Sequence, residues 1–360
     1  MHPNALQELG ATLMARVKTF EHPADATVAQ FFREHPKLGA RDRHQLSEQV
    51  FTALRAEPLP DWLAHQLQDE LGDGARDLTL ALQQPAPLDV RVNLLKAKRP
   101  AVLQQLREAG LAATETPYSP WGLRLEGKPS LHALPAFKDG WLEVQDEGSQ
   151  LLALLLEPRR NDTVVDFCAG AGGKTLALGA MMRNQGRLYA FDTSAHRLDA
   201  LKPRLARSGI TEVQTLALAH ERDARLQRMA GKVDRVLVDA PCSGLGTLRR
   251  SPDLKWRQTP KTVAAMGEVQ RSILVEAAKL VKPGGRLVYA TCSLLREEDE
   301  TVAEAFGAGH RDFVPLDAAE VLTHAGVHGA NSLCRAGYLR LWPHLHQTDG
   351  FFAAVWQRRA

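Results

Sequence analysis

The chain predicts an α/β fold: a mostly parallel, doubly wound sheet preceded by a helical unit and a small α/β connector. Three observations lead there. From Thr163 onward, short apolar runs alternate with helical stretches, the pattern of a sheet wound by crossover helices. A glycine-rich turn containing Gly170, Gly172 and Gly173 follows the first run. Two further runs end in Pro-Cys-Ser and Thr-Cys-Ser, polar tips that belong at the carboxyl edge of a parallel sheet.

Along residues 1–86, Leu6, Leu9, Leu13, Val17 and Phe20 recur at helical steps, as do Leu46, Val50 and Leu54, then Leu63 and Leu67. Pro23, Pro36, Pro58 and Pro60 punctuate these helices. Residues 87–157 change character: 88–95, 121–127 and 140–144 read as strands, and 100–109 and 149–156 as helices. Arg91, Asn93 and Lys96 read there as a solvated face. Residues 158–360 form the third unit, with strands at 163–168, 187–192, 213–218, 233–240 and 285–291. Helices fall between them, notably at 263–281 and at 194–209, where Gly209 stops the helix.

Composition narrows the function classes. With 360 residues, 44% hydrophobic and 24% charged, the chain is long enough for several ordered units. A net charge of +3 leaves a nucleic-acid partner open and shifts the question to local basic patches. The polar start and the shortness of the Leu151–Leu156 run argue against a signal peptide and a membrane span, so a cytoplasmic protein is expected. The four cysteines are dispersed, without a C-x-x-C pair, and His344 and His346 form no ligand set. Neither a metal nor a disulfide is expected.

The cofactor half is the turn DFCAGAGGKT and the acid that follows it. Cys168 stands where a Walker A loop needs glycine, and Thr175 where a dinucleotide fingerprint needs its third. Asp192, twenty residues after Gly172, suits the hydroxyls of an adenosine ribose. Nicotinamide and adenosyl cofactors both fit this half.

The chemical half is VLVDAPCSG together with LVYATCS. Cys242 and Cys292, fifty residues apart, fall at one sheet edge, with Asp239 nearby. Two thiols, an acid and an adenosyl cofactor suit methylation at carbon-5 of cytosine. That carbon is a poor nucleophile until a thiolate adds to carbon-6 and a proton reaches N3, an instance of covalent catalysis. A second thiol assists release.

DFCAGAGGKT, VDRVLVDAPCSGLGTLRRSPDLKW and KPGGRLVYATCS closely resemble the RNA cytosine-5 methyltransferases of the Sun-like family, which includes the bacterial 16S rRNA enzyme. The resemblance runs from about Asp89 to the end. It implies a Rossmann-like S-adenosylmethionine-dependent methyltransferase sheet and a NusB-like amino-terminal RNA-binding domain, here short. It implies Cys292 as nucleophile, Cys242 as release cysteine and Asp239 as the acid on the ring. Cys168, Ala169, Gly170, Gly172, Gly173, Lys174, Asp192, Arg197 and Asp239 become the cofactor residues. Asp223, with His220 as alternative, is assigned to the adenine. Arg249, Arg250, Lys255 and Trp256 become RNA contacts beside Pro252 and Asp253, and Asp349–Ala354 resembles the closing strand. Ala171 replaces the family's proline, which should loosen the turn. The implied partner is RNA, ribosomal before transfer RNA. The rival readings are a nicotinamide dehydrogenase and a non-catalytic RNA-binding scaffold.

Overall fold

The computed structural model describes residues 3–360. Among these residues the chain opens with α1 Pro3–Val17, α2 Ala24–Glu34, α3 Ala40–Ala56, α4 Asp61–Leu71 and α5 Gly74–Leu82. The apolar stripes noted in the sequence bury in two directions. Leu13, Val17, Phe31, Leu46, Val50 and Leu54 close a core among α1–α3. Leu63, Leu67, Leu78 and Leu82 instead pack on Leu245, Leu248, Leu294 and Trp342 of the carboxyl-terminal half. Residues 1–86 therefore do not share one core. Short helices with narrow apolar faces bury them against the nearest apolar surface, and for α4 and α5 that surface lies beside the two Cys-Ser loops.

The connector holds β1 Leu88–Val92, α6 Arg99–Glu108, β2 Ala113–Glu115, β3 Gly122–Leu125, α7 Pro135–Lys138 and β4 Leu142–Val144. Its strands form an antiparallel sheet in the order β2-β3-β1-β4. The solvated face expected at Arg91, Asn93 and Lys96 is corrected here for Arg91 and Asn93, which are buried, while Lys96 is exposed. Arg91 is buried and donates to Gln145 at 2.7 Å. Asn93 donates to the carbonyls of Gly140 and Ser208, both at 2.9 Å. Lys96 donates to the carbonyls of Asp139 and Arg207. Asn93 and Lys96 thereby tie the connector to the following unit through the Ser208 and Arg207 carbonyls.

Helix α8, Glu147–Leu156, begins at Asp146, whose side chain accepts from the Gly148 N–H. Leu151–Leu156 lie in one core with Val164, Leu188, Leu237 and Val288. The helix thus belongs with the large sheet, and the boundary expected at 157 moves to its start. A helix apolar on nearly all sides is stable only when covered on all sides.

The large sheet uses β5 Thr163–Asp166, β6 Arg187–Asp192, β7 Val213–Ala217, β8 Val233–Asp239 and β9 Val281–Thr291 in parallel. Helices α9 Gly173–Met181, α10 Ala195–Ser208, α11 Leu254–Arg257 and α12 Pro260–Ala278 lie between them, and α13 Glu300–Gly309 follows β9. A Thr259–Thr262 capping box starts α12, three residues before the sequence pattern suggests. The chain then adds β10 Phe313–Leu316, α14 Ala318–His324, β11 Cys334–Arg335, β12 Tyr338–Leu341, α15 Pro343–His346 and β13 Phe351–Arg358. The order is β11-β12-β13-β9-β8-β5-β6-β7, with β10 on β13, and β10–β13 run antiparallel. The order reverses between β5 and β8. In doubly wound sheets the crevice for ligands opens there, beyond the carboxyl ends of the strands. Among the described residues no helix is long and apolar enough to cross a membrane.

Candidate active site

Beyond those strand ends lies a cavity of about 670 Å³ lined by Phe167, Cys168, Asp192, Arg197, Leu218, His220, Asp239, Cys242, Ile273 and Cys292, among others. Asp192 ends β6 and is almost wholly buried. Its carboxylate accepts the Gly170 N–H and the Ser194 N–H, each at 2.8 Å. These bonds fix its orientation and leave lone pairs for a ligand. Arg197 stands 3.7 Å away, mostly exposed.

The turn between β5 and α9 needs its glycines. Gly170 has φ +56°, and a Cβ there would meet the Arg197 guanidinium at 2.5 Å. Gly172 has φ +81° and would meet Leu201 at 2.1 Å. Only glycine takes this backbone and this closeness together. Arg204 donates to the Ala171 carbonyl at 2.6 Å. Below the turn, Asp166 is completely buried and accepts from Thr175 at 2.7 Å, while its other oxygen finds no donor. Burial raises its pKa from 3.8 to about 7. Burial likewise pushes the Cys168 thiol well up. Cys168 and Ala169 lie in the turn, with Cys168 at the cavity wall.

Asp239 ends β8, and Lys174 reaches it with a 2.7 Å ion pair. Burial disfavours the Lys174 charge, yet the neighbouring Asp239 carboxylate outweighs this and raises its pKa. Lys174, assigned from sequence to the cofactor loop, thus stands beside Asp239. The Cys242 and Cys292 sulfur atoms are 3.4 Å apart. Hydrogen bonding to Cys292, then burial, pushes the Cys242 thiol well above its usual range. Either thiol can be the donor of this contact. The Gly246 N–H donates to the Cys292 carbonyl at 2.8 Å, fixing the backbone behind the thiol.

The two adenine candidates separate. His220 lines the cavity. Asp223 does not: its carboxylate caps residues 224–229, accepts the Ala219 N–H and pairs with Arg225 at 2.6 Å. Those bonds hold the Asp223 loop in place.

The basic segment after Pro-Cys-Ser also needs correcting, since it is not an open stripe. Arg249 is buried, with its carbonyl accepting from Arg55. Arg250 pairs with Asp349 at 2.6 Å and Asp146 at 2.9 Å. Lys255 is buried and donates to the Glu57 carbonyl at 2.5 Å. Trp256 stacks on Phe20 with ring centroids 4.8 Å apart. Asp253 accepts the Ala24 N–H at 3.1 Å. Arg249, Asp253, Lys255 and Trp256 fasten the helical unit to the sheet, and Arg250 ties its loop to Asp146 and Asp349. Local sequence shows charge and an aromatic but not the helices folded over them.

Sequence reasoning passed over Glu298. It is completely buried, and Ser243 and Ser293 both donate to it. The only sequence sign is the acidic run EEDE, in which nothing distinguishes one carboxylate from another.

The geometry fits an adenosyl cofactor: an oriented carboxylate at the end of β6, a glycine turn beside it and apolar walls from Phe167, Leu218 and Ile273. A family model described as "16S rRNA methyltransferase RsmB/F" matches residues 153–357, and a "Methyltr_RsmF/B-like, ferredoxin-like domain" model matches 59–132. The chain is 36% identical over 324 residues to a probable ribosomal RNA small subunit methyltransferase B of Synechocystis, covering 89% of this chain and 72% of the relative. A relative of the same name from Bacillus subtilis is 35% identical over 307 residues, covering 83% and 66%. A solved methyltransferase homolog from Pyrococcus horikoshii superposes with TM-score 0.70 at 27% identity, covering 86% of this chain and 97% of that one. The chain belongs to the 16S rRNA methyltransferase RsmB/F family, with an S-adenosylmethionine-dependent methyltransferase fold.

Proposed function

We propose that this protein methylates carbon-5 of a cytosine in ribosomal RNA, through a covalent bond between Cys292 and carbon-6. The observation that carries the reading is the pair of thiols 3.4 Å apart at the sheet edge, beside the Lys174–Asp239 pair. The names of the bacterial relatives support ribosomal RNA as the substrate, and a cytoplasmic site of action accords with it.

S-adenosylmethionine supplies an electrophilic methyl group when bound. Asp192 holds the ribose hydroxyls, and the apolar walls exclude water from the adenosine. Cys292, as thiolate, adds to carbon-6, and the Lys174–Asp239 pair delivers a proton to N3. The ring then has enamine character at carbon-5, which takes the methyl. Release undoes the addition and keeps the methyl: a water molecule takes the carbon-5 proton, the carbon–sulfur bond breaks to return the Cys292 thiolate, and N3 returns its proton to the pair. Cys242 is the group beside the departing sulfur and assists this release. Splitting one difficult attack into addition, transfer and elimination is what covalent catalysis achieves.

The test is a denaturing gel with labelled small-subunit ribosomal RNA and S-adenosylmethionine. Methyl transfer to cytosine carbon-5 that depends on Cys292 supports the reading. Full turnover without Cys292 overturns it.

A further inference from the structure

The parallel ladder that aligns β8 with β9 ends before the thiols. Asp239 lies opposite Ala290, and the last ladder bond runs from the Ala240 N–H to the Ala290 carbonyl at 2.8 Å. Cys242 and Cys292 come two residues later, where strand pairing no longer sets their separation. Besides the Gly246 N–H bond to the Cys292 carbonyl, one carboxylate joins the two loops there. Glu298 accepts the Ser243 N–H at 2.8 Å and the hydroxyls of Ser243 and Ser293 at 2.5 Å each. Those serines directly follow the two cysteines, and their hydroxyl oxygens are 3.3 Å apart. Gln270 of α12 donates to the same carboxylate at 3.0 Å and to the Pro241 carbonyl at 2.9 Å.

Glu298 is completely exposed to neither solvent nor cavity: its relative exposure is 0%. Among the described residues no cation lies within ion-pair distance of it. Burying such a carboxylate is costly unless hydrogen bonds satisfy it. A loop junction that needed only filling would be served by an apolar side chain. Four donors from both thiol loops and from α12 instead make this a clamp, and bonds to an ionised acceptor are short and directional.

We propose that Glu298 is a positioning residue that holds Cys242 within reach of Cys292, so that release follows attack. The proposal rests on the thiol reading above, and it assigns Glu298 no contact with RNA or cofactor. Without the carboxylate, the Ser243 N–H and both hydroxyls lose their shared acceptor, and the loops keep only the Gly246–Cys292 backbone bond and the contact between the serine hydroxyls to set the thiol separation.

The thiol separation can be measured without RNA. A bis-alkylating bimane fluoresces when it bridges two nearby thiols, and mass spectrometry locates the bridge. In the full-length chain, Glu298→Ala should slow the Cys242–Cys292 bridge by about tenfold or more, the scale of one lost charged hydrogen bond. S-adenosylmethionine affinity should stay within about twofold, a difference too small to signify a lost contact. Glu298→Gln, which keeps an acceptor for the Ser243 N–H, should restore most of the rate. With ribosomal RNA, Glu298→Ala should retain a persistent adduct, as Cys242→Ala should. Should Glu298→Ala fold poorly, Ser293→Ala removes one donor and should slow bridging by a smaller factor. Wild-type bridging rates in folded Glu298→Ala, or in Ser293→Ala where the first does not fold, overturn the proposal. If bridging slows but the wild-type chain forms no Cys292-dependent adduct, the clamp stands and the transfer reading falls.

Discussion

The sulfur atoms of Cys242 and Cys292 meet at 3.4 Å, although each follows a different strand of the sheet. Hydrogen bonding to Cys292, then burial, raises the Cys242 pKa. A thiol that keeps its proton is a poor nucleophile and a sound proton carrier. With Cys292 as the attacking thiol, as proposed above, Cys242 is the proton carrier beside it.

The two cysteine variants should therefore fail differently. Cys292→Ala should bind cofactor and RNA and form no covalent adduct. Cys242→Ala should attack and methylate but release poorly, leaving a shifted protein–RNA band on a denaturing gel. The double variant should lose that band. A band retained by Cys292→Ala instead would exchange the two roles.

Asp192 should govern cofactor affinity. Its carboxylate is oriented by Gly170 and Ser194 before any ligand arrives. Asp192→Ala removes two charge-assisted bonds to the ribose, a loss of about 2–4 kcal/mol, or well over tenfold in dissociation constant. Calorimetry with S-adenosylmethionine on the folded variant decides this, and an unchanged constant removes Asp192 from the site.

Asp166 should leave a pH signature on stability. Its folded pKa is raised to about 7 from 3.8, so between these values the folded state holds a proton that the unfolded state has lost. Stability then falls as pH rises from about 4 through 7 and levels off above. Three pH units correspond to about 4 kcal/mol at most. Asp166→Asn should lack this slope. Urea unfolding of both proteins between pH 4 and 8 measures the difference, and parallel curves would show that Asp166 ionises as an ordinary carboxylate.

Trp256 should act on stability rather than on RNA alone. It stacks on Phe20, and the Lys255 ammonium sits 4.5 Å over its ring. Trp256→Ala should cost on the order of 2 kcal/mol through lost stacking and burial. Cofactor affinity should be unaffected. Loss of RNA binding with unfolding unchanged would return this indole to the RNA-contacting role expected from sequence.

Much of the fold was legible in the sequence because it follows from local periodicity. The strands read at 163–168, 187–192 and 233–240 form as β5, β6 and β8, the first ending two residues early at Asp166 and the last one residue early at Asp239, and the glycine turn and the two Cys-Ser tips follow them. The shared edge was legible too, since a parallel sheet sends successive strand ends to one side. What local pattern could not convey is which side chains meet across distance. Arg91 and Lys255 look like surface charges until neighbouring chain covers them. Asp223 looks like a ligand residue until Arg225 and the Ala219 N–H occupy it.

The sequence by itself determined the chemistry on offer: two thiols, an acid and an adenosine-directed carboxylate, delivered to one edge by the alternation of strands and helices. Only the tertiary structure decided their working relations. It set the sulfurs at 3.4 Å, paired Lys174 with Asp239, and brought Glu298 under both thiol loops. The physical reason is range. Periodicity reports how a segment buries its own face, whereas hydrogen bonds and ion pairs between segments depend on where packing brings distant residues within about 3 Å.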